Sequence, residues 1–239
     1  MIELHQTIKK FEKVIAFSSE NLRIDKGEVL GVVGNNGAGK TTMLRLLLDL
    51  SKPTSGYVTS KEKPVFKSDH WKAYTGSYLD EGFLIPFLRP MEYMEFVASI
   101  NGIPENKLKD FLSWNKAFYG EELFKGKKLI RDLSRGNKAK VGILGAMLHE
   151  PEILILDEPF ANLDPGSQSW LKWKLEDLNA RGTTMIISSH DLRHITEITS
   201  RIIVLEAGKI VEDCKTNEDT LSKLESYFTH NFKSVDTAY

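Results

Sequence analysis

Short unbroken apolar runs alternate along this chain with stretches of helical spacing. Four of the runs read as buried strands: EVLGVV (28–33), EILILD (152–157), TTMIISS (183–189) and RIIVLE (201–206). All-apolar runs flanked by helices suit a parallel sheet covered on both faces. KTTMLRLLLDL (40–50) predicts a helix, because Met43, Leu44, Leu47 and Leu48 recur at helical spacing, and the turn chemistry of SKPTSG (51–56) closes it. Between residues 86 and 149 the pattern changes to three amphipathic stretches, MEYMEFVASI, ENKLKDFLSW and NKAKVGILGAMLHE. We expect an α/β fold with an antiparallel N-terminal β part. Residues 1–85 and 150–215 would form the core, 86–149 an inserted helical subdomain, and 216–239 a terminal helix with a loose tail, all in one domain.

Glycines follow the first of these strands at once. Gly34-Asn35-Asn36-Gly37-Ala38-Gly39-Lys40-Thr41 matches G-x-x-x-x-G-K-[ST] in full, after a strand and before a helix. Such a loop curls so that its backbone N–H groups and the helix start, with Thr42 in the first turn, face nucleotide phosphates. Lys40 would set a cation on the outer phosphates, and Thr41 would offer a hydroxyl to Mg²⁺. A second acidic signal, Asp157-Glu158, ends an apolar strand at the rim where α/β sheets bind ligands. Asp157 would hold Mg²⁺, and Glu158 would polarise an attacking water.

From here the sequence resembles the ATP-binding subunits of ABC transporters, from about Ile8 to Val211. The specific element is Leu133-Ser134-Arg135-Gly136-Asn137, similar to the LSGGQ signature and placed directly before a helical run. Ser134 and the Gly136 N–H lie at a helix start, a ready anion site. The resemblance implies that this segment reaches the γ-phosphate held by a second ATPase subunit, identical or different. A chain with two phosphate-binding helix starts owns more than one ATP needs; by itself, LSRGN would read as a capping serine and glycine. Ala161-Asn162-Leu163-Asp164 resembles the D-loop at that contact, and Asp164 also suits the N-cap of the helix begun by Pro165. Ser188-Ser189-His190 resembles the switch-histidine loop, which implies that His190 bonds the γ-phosphate. Phe11 stands where the family places an adenine-stacking aromatic, and an edge phenylalanine is the other reading.

Two departures stand out. Asp80, or else Glu81, occupies the position of the Q-loop glutamine, as in some drug- and antimicrobial-peptide-export subunits. A carboxylate there would bind Mg²⁺ more strongly and add charge near the γ-phosphate. Arg135 replaces a signature glycine and Asn137 the glutamine. Arg135 could meet ribose, phosphate, the opposite subunit or solvent.

The resemblance implies Mg²⁺-assisted ATP hydrolysis that energises a multi-span membrane permease, with export as the expected direction. The apolar run 82–88 is where such subunits accept the permease, though core packing also suits it. A soluble ABC ATPase acting on DNA or the ribosome is the alternative. The stretch between Lys40 and Leu133 carries no heptads or cysteine clusters, which favours the transporter type. The formal net charge of −1 gives no global basic excess for nucleic acid. Cys214 is the single cysteine, so no internal disulfide forms. With no 18-residue apolar stretch, the expected place is the cytoplasm, peripheral on the inner face of a bacterial-type membrane.

Overall fold

A computed structural model describes the backbone of residues 1–235 and the side chains of residues 1–229. Ten strands form one sheet: β1 Ile2–Phe11, β2 Val14–Ile24, β3 Val29–Val33, β4 Ser55–Ser60, β5 Lys63–Pro64, β6 Thr75–Tyr78, β7 Ile153–Asp157, β8 Thr184–Ser189, β9 Arg201–Glu206 and β10 Lys209–Lys215. Their order is β5-β4-β1-β2-β10-β9-β3-β8-β7-β6. Strands β9, β3, β8, β7 and β6 are mutually parallel. β1, β2, β4 and β5 pair antiparallel. Both expected parts of the sheet, parallel and antiparallel, are present.

Eight α-helices accompany the sheet among the described residues: α1 Lys40–Leu47, α2 Pro90–Ile100, α3 Glu105–Trp114, α4 Lys116–Tyr119, α5 Arg135–Met147, α6 Pro165–Ala180, α7 Leu192–Ile198 and α8 Thr220–Val235. The central strands are apolar throughout because each face is covered by a different set of elements. Val29, Val33, Leu154, Leu156, Met185 and Ile187 face a core filled from α2, α5, α6 and α7. The alternate residues Leu30, Val32, Ile153, Ile155 and Ile186 face α1 and the β1–β2 hairpin. The period-2 alternation of strand side chains is thus used twice over.

Three boundaries differ from expectation. α1 stops at Leu47 rather than Leu50, because Asp49 turns left-handed at φ 51° and Leu50 N–H returns to the Arg45 carbonyl. α5 begins at Arg135 and ends at Met147. β10 was not anticipated: its residues KIVEDCK are largely exposed, so they carry little apolar signal. A terminal helix is present as α8, and the end of the expected tail lies outside the described residues. No helix among the described residues is long and apolar enough to cross a membrane.

β6 and α5 approach closely at Gly76, where a Cβ would overlap the Ala146 carbonyl oxygen. Backbone cannot swing aside as a side chain can. Gly76→Ala should therefore cost about 2–3 kcal/mol of overpacking. Urea denaturation should show an earlier midpoint with an unchanged slope; an unmoved midpoint would contradict the close contact.

Candidate functional site

The loop between β3 and α1 is shaped by its glycines. Gly39 sits at φ 109°, and a Cβ there would overlap the Ala16 carbonyl oxygen, so only glycine fits without strain. The free N–H groups at the start of α1, and the positive end of its dipole, open into a cleft lined by Ala16, residues 35–42, Asp157 and Glu158. This cleft has the donors a triphosphate needs.

Lys40 is only 6% exposed. Its ammonium donates to the Gly34 carbonyl at 2.6 Å and lies 3.3 Å from Glu158 Oε1. Asp157 ends β7, buried, directly beside Ser188 of β8 in the parallel register. The Thr41 hydroxyl donates to Asp157 Oδ2 at 2.5 Å, and the Ser188 hydroxyl donates to Oδ1. Burial pushes the Asp157 carboxyl above its ordinary range; the two hydroxyl donors oppose that shift. A hydroxyl and a carboxylate side by side at the phosphate loop are the hard oxygen ligands that suit Mg²⁺.

Glu158 adopts a left-handed backbone at φ 48°, an uncommon state for a residue with a side chain. Its N–H donates to the Ser188 hydroxyl at 2.9 Å and the Ser188 carbonyl at 3.2 Å. That twist aims one carboxylate oxygen at Lys40. The other lies 2.7 Å from His190 Nδ1 and accepts the His190 N–H at 3.2 Å. Lys40, Thr41, Asp157, Glu158 and His190 thus form one connected cluster, although the last lies far from the first in sequence.

Residues 134–137 and Asp164 form a second cluster, and none of them lines the cleft. Ser134 caps α5 by accepting the Asn137 N–H at 3.3 Å. The absent side chain of Gly136 leaves room for the Asn162 carbonyl, where a Cβ would collide. Asn162 itself is left-handed at φ 61°. Asp164 caps α6 by accepting the Ser167 N–H at 2.9 Å, and it pairs with Lys140 of α5 at 2.9 Å. The Ser167 hydroxyl first, and then Lys140, hold its carboxyl well below the usual range. Signature and D-loop segments are therefore locked to each other within the chain. Arg135 is 77% exposed at the first turn of α5.

Two expected ligands stand apart. Asp80 Oδ1 accepts the Gly82 N–H at 2.6 Å, and Oδ2 lies 3.6 Å from Arg45 of α1. Phe11 is exposed at the end of β1, with the Lys9 ammonium 4.8 Å from its ring centroid. The chain passes from Phe11 through a turn to Ala16, on the cleft wall. Ser188, named in the sequence only as part of the switch-histidine motif, fastens both Asp157 and Glu158, a role the sequence does not show. Only the β7–β8 register brings it into place.

Known proteins resemble this chain in sequence and in fold. The ABC transporter family profile matches residues 17–161. The uncharacterized ABC transporter ATP-binding protein YhaQ of Bacillus subtilis is 32% identical over 91% of this chain and 72% of its own length. The bacitracin transport ATP-binding protein BcrA of Enterococcus faecalis is 33% identical, over 91% of this chain and 70% of its own. The methionine import ATP-binding protein MetN 3 of Bacillus cereus is 34% identical over 87% of this chain, which spans 64% of that protein. Among solved structures, the dimeric bacterial ABC transporter cassette MJ0796 superposes with a TM-score of 0.82 at 27% identity, covering 91% of this chain and 99% of that one. The same cassette in a dimeric post-hydrolysis state bound to ADP and Pi gives 0.80 at 26% identity. With its phosphate loop, paired carboxylates and signature in this order, the chain belongs to the ABC transporter family, as an ATP-binding cassette of the ATPase kind.

Proposed function

We propose that this chain is the Mg²⁺-dependent ATP-hydrolysing subunit that drives a separate membrane-spanning permease, and that it works as a sandwich of two ATPase subunits. The observation that carries the reading is the connected cluster of Lys40, Thr41, Asp157, Glu158 and His190 at the mouth of a phosphate-binding loop. The LSRGN helix start, which does not line its own chain's cleft, supports the second subunit. So do the dimeric cassettes of similar fold.

The reaction is ATP + H₂O → ADP + phosphate. Phosphoryl transfer needs mainly positioning and charge neutralisation. Lys40 would move from the Gly34 carbonyl to the outer phosphates. Thr41 and Asp157 would hold Mg²⁺, with Asp80 as a further carboxylate toward it; the bound ion supplies charge neutralisation. Glu158 would take a proton from the attacking water, with His190 fixing the carboxylate and reaching the γ-phosphate. Across the interface, Ser134, Gly136 and Asn137 would close on the γ-phosphate, with Arg135 and Asp164 at the contact. Phe11 would stack on adenine. Closure of the pair excludes water.

Export is the direction we favour. Asp80 at the Q-loop position resembles export subunits, and one similar protein is named for bacitracin transport. The permease would dock near residues 82–88. There Phe83 and Phe87 are exposed, while Leu84 packs into a small core with Ile130 and Val141. In this reading the chain would sit at the inner face of a membrane, held there by its partner.

Glu158→Gln should abolish turnover while ATP traps a stable dimer, read by phosphate release and light scattering; near-normal hydrolysis would remove Glu158 from its role. Glutamate at Phe83 and Phe87 should leave ATPase activity intact and abolish recruitment to vesicles bearing the permease. Unchanged recruitment would sink the docking site. Asp157 also predicts a trade. Its folded-state pKa lies above the unfolded one, so its charged form opposes folding above that pKa and this penalty fades as pH falls through it. Asp157→Asn should raise the ligand-free melting temperature while removing Mg²⁺-dependent turnover. A lower melting temperature would show that the carboxylate stabilises the empty fold.

A further inference from the structure

The acidic turn after β6 sends its two carboxylates to two different helices. Asp80 leans toward Arg45 of α1, at 3.6 Å. Glu81 Oε2 lies 2.9 Å from Lys138 Nζ, and Oε1 lies 3.8 Å from Arg135 Nε. Both partners of Glu81 belong to the first turn of α5, the turn that carries the signature. The Glu81–Lys138 pair is the substantial one. Glu81 Oε2 is shielded from solvent and accepts no hydrogen bond, so the Lys138 charge beside it is its compensation, and the Lys138 side chain is only 20% exposed. Shielding weakens screening by water and salt, and it makes an unpaired charge costly. Arg135, largely in solvent, adds little.

The segment leading to Glu81 rides on the same helix. Tyr78 packs its ring against Gly142, where a Cβ would overlap it. Burial pushes the Tyr78 hydroxyl up to about 12, and the nearby charges of Glu81 and Asp80 add to that shift. Residues 78–81 therefore touch α5 at two points one turn apart, and they touch α1 at a third. A helix start serves a ligand only while its N–H groups stay aimed within about half an ångström.

We propose that Glu81 is a positioning residue: through Lys138 it fixes the first turn of α5, and so Ser134 and Gly136, relative to the end of β6. This rests on the reading that LSRGN completes the ATP site of a second subunit. Glu81 need not touch nucleotide in its own cleft. Its effect falls on the step in which two subunits close.

The test measures two quantities separately. One is the affinity of the monomer for a fluorescent ATP analogue. The other is the ATP concentration that half-dimerises the Glu158→Gln chain. Adding Glu81→Gln should raise that concentration about tenfold, and in the otherwise unaltered chain it should lower kcat about as much. Monomer affinity should stay within about twofold. The exchanged pair, Glu81→Lys with Lys138→Glu, should recover most of the loss, and Lys138→Gln should reproduce it if Glu81→Gln folds poorly. Unchanged dimerisation and kcat, or no recovery in a folded exchanged pair, would overturn the proposal. A Glu158→Gln chain that stays monomeric with ATP would overturn the sandwich reading on which it rests.

Discussion

A buried carboxylate at the end of β7 is the constraint around which the rest of the fold is arranged. Asp157 is unfavourable there as a charge, and its carboxyl is pushed upward by burial. The fold tolerates it by surrounding it with hydroxyl donors from two other elements, Thr41 from α1 and Ser188 from β8. Those bonds tie the phosphate-loop helix to the C-terminal ends of β7 and β8. They also leave the carboxylate where an incoming cation would relieve its cost. Stability is given up locally to keep a ligand site ready.

From that anchor the chemistry continues one residue further along the chain. Glu158, twisted left-handed beside Asp157, spans the gap between Lys40 and His190. A neighbour one residue along a strand normally points to the opposite face. The strained backbone overrides that alternation and gathers both carboxylates into one site. The lysine and the glutamate form an ion pair with each other. Phosphates would compete for the lysine and free the glutamate for water.

Much of this was legible in the sequence, for identifiable reasons. The phosphate loop, the acidic strand end and the signature are contiguous runs whose order fixes their elements. Buried strands showed as apolar runs because both sheet faces are covered. What stayed hidden depends on register or on long side chains crossing between elements. Ser188 reaches Asp157 only through the β7–β8 pairing. Lys140 meets Asp164, and Lys138 meets Glu81, between segments distant in sequence. β10 escaped notice because its residues are mostly exposed. The Q-loop departure was visible as residues. The separate destinations of Asp80 and Glu81 were not.

Each ATP would be held between two helix starts, one from each of two ATPase subunits. The most direct measurement is a crystal structure of the unaltered chain with Mg²⁺ and a non-hydrolysable ATP analogue. It should show each triphosphate in the loop of residues 34–41, with Ser134 Oγ and Gly136 N–H of a second subunit within hydrogen-bond reach of the γ-phosphate. Nucleotide bound in the loop while every LSRGN segment faces solvent would contradict it.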